Sequence, residues 1–455
     1  MNLVETSRFT QQHAGEMMGQ ATPIRRRTRA RQPMLPFGEI NNRDETSSTF
    51  ADNLSLPIHR WFRYSAGFSA QWVRQLIQRE KSNGRLRVLD PFAGSGTTLL
   101  EAEVCGAESI GLESHPFVAR IAKAKLYWRE DADCFHSHAT CVLDSARKHP
   151  AARTPTPALL RKCFPSETLA RLDSLRAAIQ AQDDGSPICS LVWLTLVAIL
   201  RDCSPVGTAQ WQYVLPRKTK ANAMDPLEAY KAMATLIRDD MKWRQEQDIG
   251  PRATIHQDDA RECASLSDGC ADLVITSPPY ANNYDYADAT RLEMTFFGEI
   301  EGWGCLQDSV RKHLVRSCTQ HVARISKDTR AIIETPLLDP IKKEIVDVCT
   351  KLGVEKEKHG GKKPYNTMIA AYFNDMANVW KALRRVAAND ALVCFVVGDS
   401  APYGVYVPVD RWLGELAVAG GFKSFGFEKT RDRNIKWKNR KHRVPLHEGR
   451  LWVKG

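Results

Sequence analysis

Asp272-Leu273-Val274-Ile275-Thr276-Ser277-Pro278-Pro279-Tyr280 is the stretch on which the fold turns. Leu273-Val274-Ile275 is a short apolar, largely β-branched run, as expected of a strand buried on both faces. The chain then breaks. Two prolines set two φ angles to about −65° and remove two N–H donors, so neither a central strand nor a helix can continue. The product is a stiff turn at the carboxyl end of a strand, holding a hydroxyl, prolyl carbonyls and an aromatic ring in fixed relation. Open parallel sheets bind ligands at that edge. Taken alone, the stretch is equally a strand followed by a proline-stiffened turn with a packing tyrosine, so the flanking sequence decides.

Upstream, Val88-Leu89-Asp90 reads as a strand and runs into Pro91-Phe92-Ala93-Gly94-Ser95-Gly96-Thr97-Thr98, then an apolar helix. Gly94 and Gly96 permit close backbone approach, and the helix N-terminus offers free N–H groups to an anion. Three cofactor classes use such a loop. A phosphate loop of the Walker type needs a lysine after its second glycine, and none stands here. A dinucleotide fingerprint wants a third glycine where Leu99 stands. The third class is S-adenosylmethionine, whose carboxylate replaces the phosphate and whose ammonium an acid such as Asp90 can hold. Ser109–Glu113 reads as a second strand ending in an acid twenty-three residues after Asp90. A carboxylate there is placed to accept both ribose hydroxyl protons. A third strand, Ala253–His256, precedes Asp258-Asp259, of which Asp259 is the better candidate for an adenine amino group. Ser69 can cap a helix to Glu80 with an apolar stripe of Trp72, Val73, Leu76 and Ile77. Helices over Tyr365–Arg385 and Val409–Ala419 flank the strongest strand signal, Ala391–Asp399.

The rest is less regular. Residues 131–250 and 298–365 interrupt the alternating pattern and read mainly as helices. The longest apolar run, Ile188–Leu200, has thirteen residues, too few to span a bilayer, and reads as a buried helix. Arg201–Lys220 reads as a loop in which Trp211 and Tyr213 interleave with Arg217, Lys218 and Lys220, a composition suited to nucleic acid. Lys356–Lys363, with Gly360-Gly361, is a mobile-loop candidate. Arg25, Arg26, Arg27, Arg29 and Arg31 form a basic arm, and Lys429–Arg443 carries eight Lys or Arg against one Asp. The net charge of +11 and pI near 9.0 agree with a polyanionic partner. Twelve cysteines without any Cys-x-x-Cys pair read as reduced, packed thiols, not a disulfide framework or metal site. No secretory pattern opens the chain, so a cytoplasmic protein is expected.

Together, Asp90–Thr98 and Thr276–Tyr280 resemble the cofactor and catalytic motifs of the DNA methyltransferases that methylate exocyclic amino groups. The resemblance takes in Pro57–Glu80, Glu113, Asp259 and the Val393–Asp399 strand, roughly residues 55–130 and 250–425, but neither helical insertion. It implies an α/β, Rossmann-like methyltransferase fold, a mostly parallel sheet with helices on both faces and helical insertions. It implies S-adenosyl-L-methionine held by Phe68, Asp90, Pro91, Phe92, Gly94, Gly96, Thr97, Glu113 and Asp259, with no metal. Ser277 and the Pro278 carbonyl would accept hydrogen bonds from the amine, with Pro279 stiffening the turn and Tyr280 stacking on a flipped base. Ring-carbon cytosine methyltransferases use a Pro-Cys nucleophile, and this chain has no Pro-Cys dipeptide.

In the family, Ser-Pro-Pro-Tyr goes more with cytosine N4 and Asp-Pro-Pro-Tyr more with adenine N6, so Ser277 implies N4-cytosine. The alternatives are an N6-adenine enzyme, an RNA amino-methyltransferase, or an inactive nucleic-acid-binding homologue. Here the cofactor half precedes the catalytic half, the reverse of the commonest N4 order. The partners implied are double-stranded DNA and a cognate restriction endonuclease encoded nearby, in a bacterial or phage setting, with the protein at the nucleoid when bound to DNA and no membrane involved. The expected organisation is a basic arm over 1–54, a cofactor-binding half over 55–130 and a candidate target-recognition insertion over 131–250. A catalytic half over 251–297, a second insertion over 298–365, the remaining sheet over 366–428 and a basic tail over 429–455 follow.

Overall fold

A computed structural model describes residues 50–455 except 65–66, 82–83, 85, 151–155, 209–213, 220–221, 248–249, 326–327 and 434–443. The basic arm, Trp211, Tyr213, Lys220 and most of the second basic cluster lie outside the described residues. The strands are β1 (Arg87–Asp90), β2 (Glu108–Leu112), β3 (Val206–Thr208), β4 (Val214–Thr219), β5 (Thr254–His256), β6 (Ala271–Thr276), β7 (Ala387–Gly398), β8 (Ser424–Arg433) and β9 (Leu446–Lys454). Helices α1 (Ala70–Lys81), α2 (Thr97–Val104) and α3 (Pro116–Leu126) belong to the first α/β half. The first insertion holds α4 (Ala132–Lys148), α5 (Ala158–Cys163), α6 (Ser166–Ala181), α7 (Pro187–Cys203) and α8 (Pro226–Gln245). Short helices α9 (Tyr286–Ala289), α10 (Arg291–Phe296), α11 (Leu306–Ser309) and α12 (Thr329–Ile333) lead to α13 (Lys342–Lys358), α14 (Tyr365–Val386) and α15 (Val409–Ala419).

Seven strands form one sheet in the order β5-β2-β1-β6-β7-β9-β8. The first five run parallel, and β9 pairs antiparallel with both β7 and β8. Side-chain alternation explains why both faces are covered. Val88, Leu273, Ile275, Cys394 and Val396 pack against Trp72, Val73, Leu76 and Ile77 of α1. Their neighbours Leu89, Val274, Val393, Phe395 and Val397 face a second core with Trp380 of α14 and Trp412 of α15. This is the expected α/β, Rossmann-like architecture. The chain steps outward from β1 through β2 to β5, then returns to β6 on the other side of β1. That reversal opens a crevice at the carboxyl ends of β1 and β6.

The insertions differ from expectation in three places. Helices do dominate 131–250, and Ile188–Leu200 lies inside α7. Their core takes in Ile58, Trp61, Leu100 and Phe117, so the insertion packs on α2, on α3 and on the strap before α1, in a cluster separate from the cores on the two sheet faces. The stretch Arg201–Lys220, expected as a loop, begins inside α7 and carries the β3–β4 antiparallel pair. Lys356–Lys358 of the expected mobile loop end α13; Gly360 and Gly361 have φ of 78° and 70°, and Gly361 N–H donates back to Lys356 O at 2.9 Å. That is a glycine-closed helix end.

The expected basic tail over 429–455 is corrected most. β8 runs to Arg433, and β9 inserts between β7 and β8. The charge of β8 follows from its place at the sheet edge, where Lys and Arg block pairing with another chain. No described helix is long and apolar enough to cross a membrane.

Candidate active site

A cleft of about 660 Å³, counting solvent at its mouth, lies at the reversal of strand order. It is lined from three strand ends: Phe92, Gly94 and Thr97 after β1, Glu113 and His115 after β2, Ser277 and Pro279 after β6. Tyr64, Gly67 and Phe68 enter from the strap before α1, and Leu314 and Val315 from the second insertion. Phe68, Phe92, Gly94, Thr97, Glu113, Ser277 and Pro279 of the expected residues therefore share one cavity. Tyr64, His115, Leu314 and Val315 are additions.

Glu113 organises the cleft. Its Oε2 accepts from Gly94 N–H at 2.9 Å and its Oε1 from His115 N–H at 2.8 Å. One carboxylate thus joins the loop after β1 to the loop after β2, and the Ser114 backbone donates to it as well. Gly94 has φ 53°, and a Cβ there would stand 2.9 Å from Tyr64 Cε1, so the aromatic strap closes directly on the loop. Burial pushes the Glu113 carboxyl up to about 7, against the backbone donors and with help from Asp90.

Asp90 lies beneath the cleft, 1% exposed. Its Oδ1 accepts from Thr276 Oγ1 at 2.6 Å and Phe92 N–H at 3.1 Å, and its Oδ2 from Thr98 Oγ1 at 2.6 Å. It therefore ties the end of β1, the first turn of α2 and the end of β6 together. Burial pushes its carboxyl up to about 6, opposed by the Thr276 and Thr98 hydroxyls. Pro91 and Gly96 shape the same loop, Gly96 with φ 87°. Asp259 is placed differently: Arg261 Nε bonds its two oxygens at 2.9 and 3.0 Å, and it is not among the residues lining the cleft.

Asp90 and Glu113 make stability depend on pH. Unfolded, they release their protons near 3.8 and 4.5; folded, they hold them to about 6 and 7. Folding therefore takes up protons between these limits, so this contribution is full at acid pH and falls as pH rises towards 7. In the cofactor-free protein, Glu113→Gln should raise Tm more at pH 8 than at pH 5. An equal change at both would contradict the shifted carboxyl.

At the end of β6, Ser277 Oγ donates to Val396 O at 3.2 Å, and its side chain is also hydrogen-bonded to Tyr280. Tyr280 N–H donates to Tyr286 Oη at 3.2 Å. The following loop is fastened to the second insertion: Asn283 Oδ1 accepts from Thr319 N–H and Oγ1, both at 2.8 Å, and buried Asp285 pairs with Arg311 at 2.6 Å. Asp285, Cys318 and His321 bring possible metal-ligating atoms within 4.8 Å of one another. Arg311 already supplies the carboxylate with a cation, and burial pushes the Cys318 thiol up to about 12.

The strap is anchored by the first insertion. Buried Asp240 of α8 accepts from Ile58 N–H at 3.1 Å, Arg60 Nε at 3.0 Å and Trp61 Nε1 at 2.9 Å. Asp240→Ala should destabilise the protein by about 1–3 kcal/mol, because it leaves buried donors unpaired. Chemical denaturation measures this, and an unchanged midpoint would contradict the anchor.

The cleft fits S-adenosylmethionine. Glu113 would accept from the ribose hydroxyls, the free N–H groups at the start of α2 would meet the carboxylate, and Phe68 and Phe92 offer aromatic faces. His115 Nδ1 is buried without a hydrogen-bond partner, a polar atom at a cavity wall ready for a ligand. Fold and site thus define a methyltransferase that takes its methyl group from S-adenosylmethionine. The comparisons agree. A family model described as DNA methylase, of the N6/N4 type, matches residues 21–124. Type II methyltransferase M.BsoBI of Geobacillus stearothermophilus is 26% identical over 423 residues, covering 82% of this chain and 80% of that protein. Type II methyltransferase M.AvaI of Nostoc sp. is 25% identical over 417 residues, with 82% and 81% covered. Type II methyltransferase M.MjaII of Methanocaldococcus jannaschii shares 38% over 69 residues, 15% of this chain and 13% of that protein. Over most of its length the chain is thus similar to Type II DNA methyltransferases, and its family-model match is to DNA methylases of the N6/N4 type.

Proposed function

We propose that this is a Type II, site-specific DNA methyltransferase that methylates the exocyclic N4 of a cytosine flipped out of the duplex. The observation that carries this reading is the meeting of Ser277 and Pro279 with Glu113 and Gly94 in one cleft. A cytosine amine is a poor nucleophile because its lone pair is delocalised into the ring. Ser277, already donating to Val396 O, and the Pro278 carbonyl would each accept a hydrogen bond from the amine, holding it edge-on and favouring a pyramidal nitrogen. The Tyr280 ring would stack on the base. When bound, the cofactor supplies an electrophilic methyl group; the nitrogen gains that methyl and gives up one proton. Serine at position 277 favours cytosine through the family's association. A cognate restriction endonuclease encoded nearby, and a cytoplasmic location, belong to the same proposal.

Incubating plasmid DNA with tritiated S-adenosylmethionine should add label up to a fixed ceiling, and fresh enzyme should add no more. Label that climbs without a ceiling, or that goes preferentially to RNA, would overturn the reading. The basic arm, expected over 1–54, is proposed to lie on the phosphate backbone through its arginines at 25–31, each neutralised phosphate adding about 0.9 to the slope of log affinity against log salt. Truncating it should flatten that slope; an unchanged slope would remove the arm from DNA binding.

A further inference from the structure

The β8–β9 hairpin reaches the catalytic turn from the antiparallel side of the sheet. Arg433, the last residue of β8, places its guanidinium carbon 5.4 Å from the centroid of the Tyr280 ring. Its Nη1 donates to Asp399 O at 2.9 Å, one residue beyond β7. Its Nε stands 3.9 Å from Oε2 of Glu448, a buried acid of β9 that Arg431 also bonds at 2.9 Å. Gly398 makes room for the arrangement, because a Cβ there would come within 2.5 Å of Arg433 Nη1. A planar cation is therefore held on one side by a backbone carbonyl and a buried carboxylate, with the Tyr280 ring against it.

A guanidinium so placed is attracted to the electron-rich face of the ring. Lysine would keep the charge but lose the planar fork that reaches Asp399 O and Glu448 together. We propose that Arg433 is a positioning residue for methyl transfer: it holds one face of the Tyr280 ring so that the opposite face meets the substrate base. This rests on the reading of Ser277–Tyr280 as the catalytic turn.

The test uses the full chain, plasmid DNA and tritiated S-adenosylmethionine. It compares Arg433→Gln, Arg433→Lys, Tyr280→Ala and the Arg433→Gln/Tyr280→Ala double variant. Arg433→Gln should lower kcat at saturating DNA about tenfold, a transition-state loss of about 1.4 kcal/mol. Cofactor Kd and the salt slope of DNA binding should not move. Arg433→Lys should recover part of the rate and serves in its own right if the glutamine variant is poorly folded. Adding Arg433→Gln to Tyr280→Ala should cost less than about twofold more, as expected for residues acting as a unit. An unchanged kcat in both Arg433 variants would overturn the proposal. So would a loss confined to DNA Kd with a salt slope smaller by about 0.9, which marks a phosphate contact. A further tenfold loss on the Tyr280→Ala background would overturn it too. Full activity in Tyr280→Ala alone would instead sink the catalytic-turn reading on which it rests.

Discussion

Ser277→Ala should lower kcat by on the order of 10²-fold or more, because a misplaced reacting group costs that much even when it stays bound. Tyr280→Ala should lower kcat/KM by about 5- to 150-fold, the equivalent of about 1–3 kcal/mol of base stacking. Both variants should bind S-adenosylmethionine as the unaltered protein does. Ser277 does line the cofactor cleft, but its hydroxyl is committed to Val396 O, whereas the loop amide of Gly94 is held by Glu113. Calorimetric titration of the cofactor beside single-turnover methyl transfer separates the two steps. Loss of cofactor affinity in Ser277→Ala would contradict the role given to that hydroxyl.

Glu113→Ala should do the reverse. It removes the acceptor proposed for the ribose hydroxyls, with hydrogen bonds to a charged group worth about 1.5–3 kcal/mol. It also frees the Gly94 and His115 amides that the carboxylate holds at 2.9 and 2.8 Å. The two losses should weaken cofactor binding by on the order of 10²-fold. At saturating cofactor much of kcat should return, because Glu113 does not touch the turn that receives the base. A variant with normal cofactor affinity and no turnover would place Glu113 on the wrong side of the cleft.

The parts of the site that could be read from sequence are those encoded by a few neighbouring residues. A strand that ends in Asp90 and opens into Gly94-Ser95-Gly96 announces a ligand loop, and Ser277-Pro278-Pro279 announces a turn, wherever the chain travels next. Glu113 was legible because its spacing from Asp90 follows from one strand–helix–strand unit. Tyr64, Leu314 and Val315 were not, since nothing local distinguishes a residue that reaches the cleft from a distant loop. Asp90 looked like a ligand-holding acid, but Thr98 and Thr276 show what its carboxylate also does: it joins the two halves of the site. From Lys429 on, the sequence reads as a basic tail although it holds most of the β8–β9 hairpin, because the edge strand carries Lys and Arg where a core strand would carry valine. The hairpin's place beside β7 depends on antiparallel pairing such as Gly398 with Glu448, which only the folded chain reveals.

The central claim is amino-group methylation by the turn at Ser277–Tyr280. Nucleoside mass spectrometry of plasmid DNA, after incubation with the purified protein and isotopically labelled S-adenosylmethionine, tests it most directly. The expected product is labelled N4-methylcytosine, absent when Ser277→Ala replaces the unaltered protein. Labelled N6-methyladenine would contradict the assignment to cytosine, and labelled 5-methylcytosine, or no labelled nucleoside at all, would contradict the account of the turn itself.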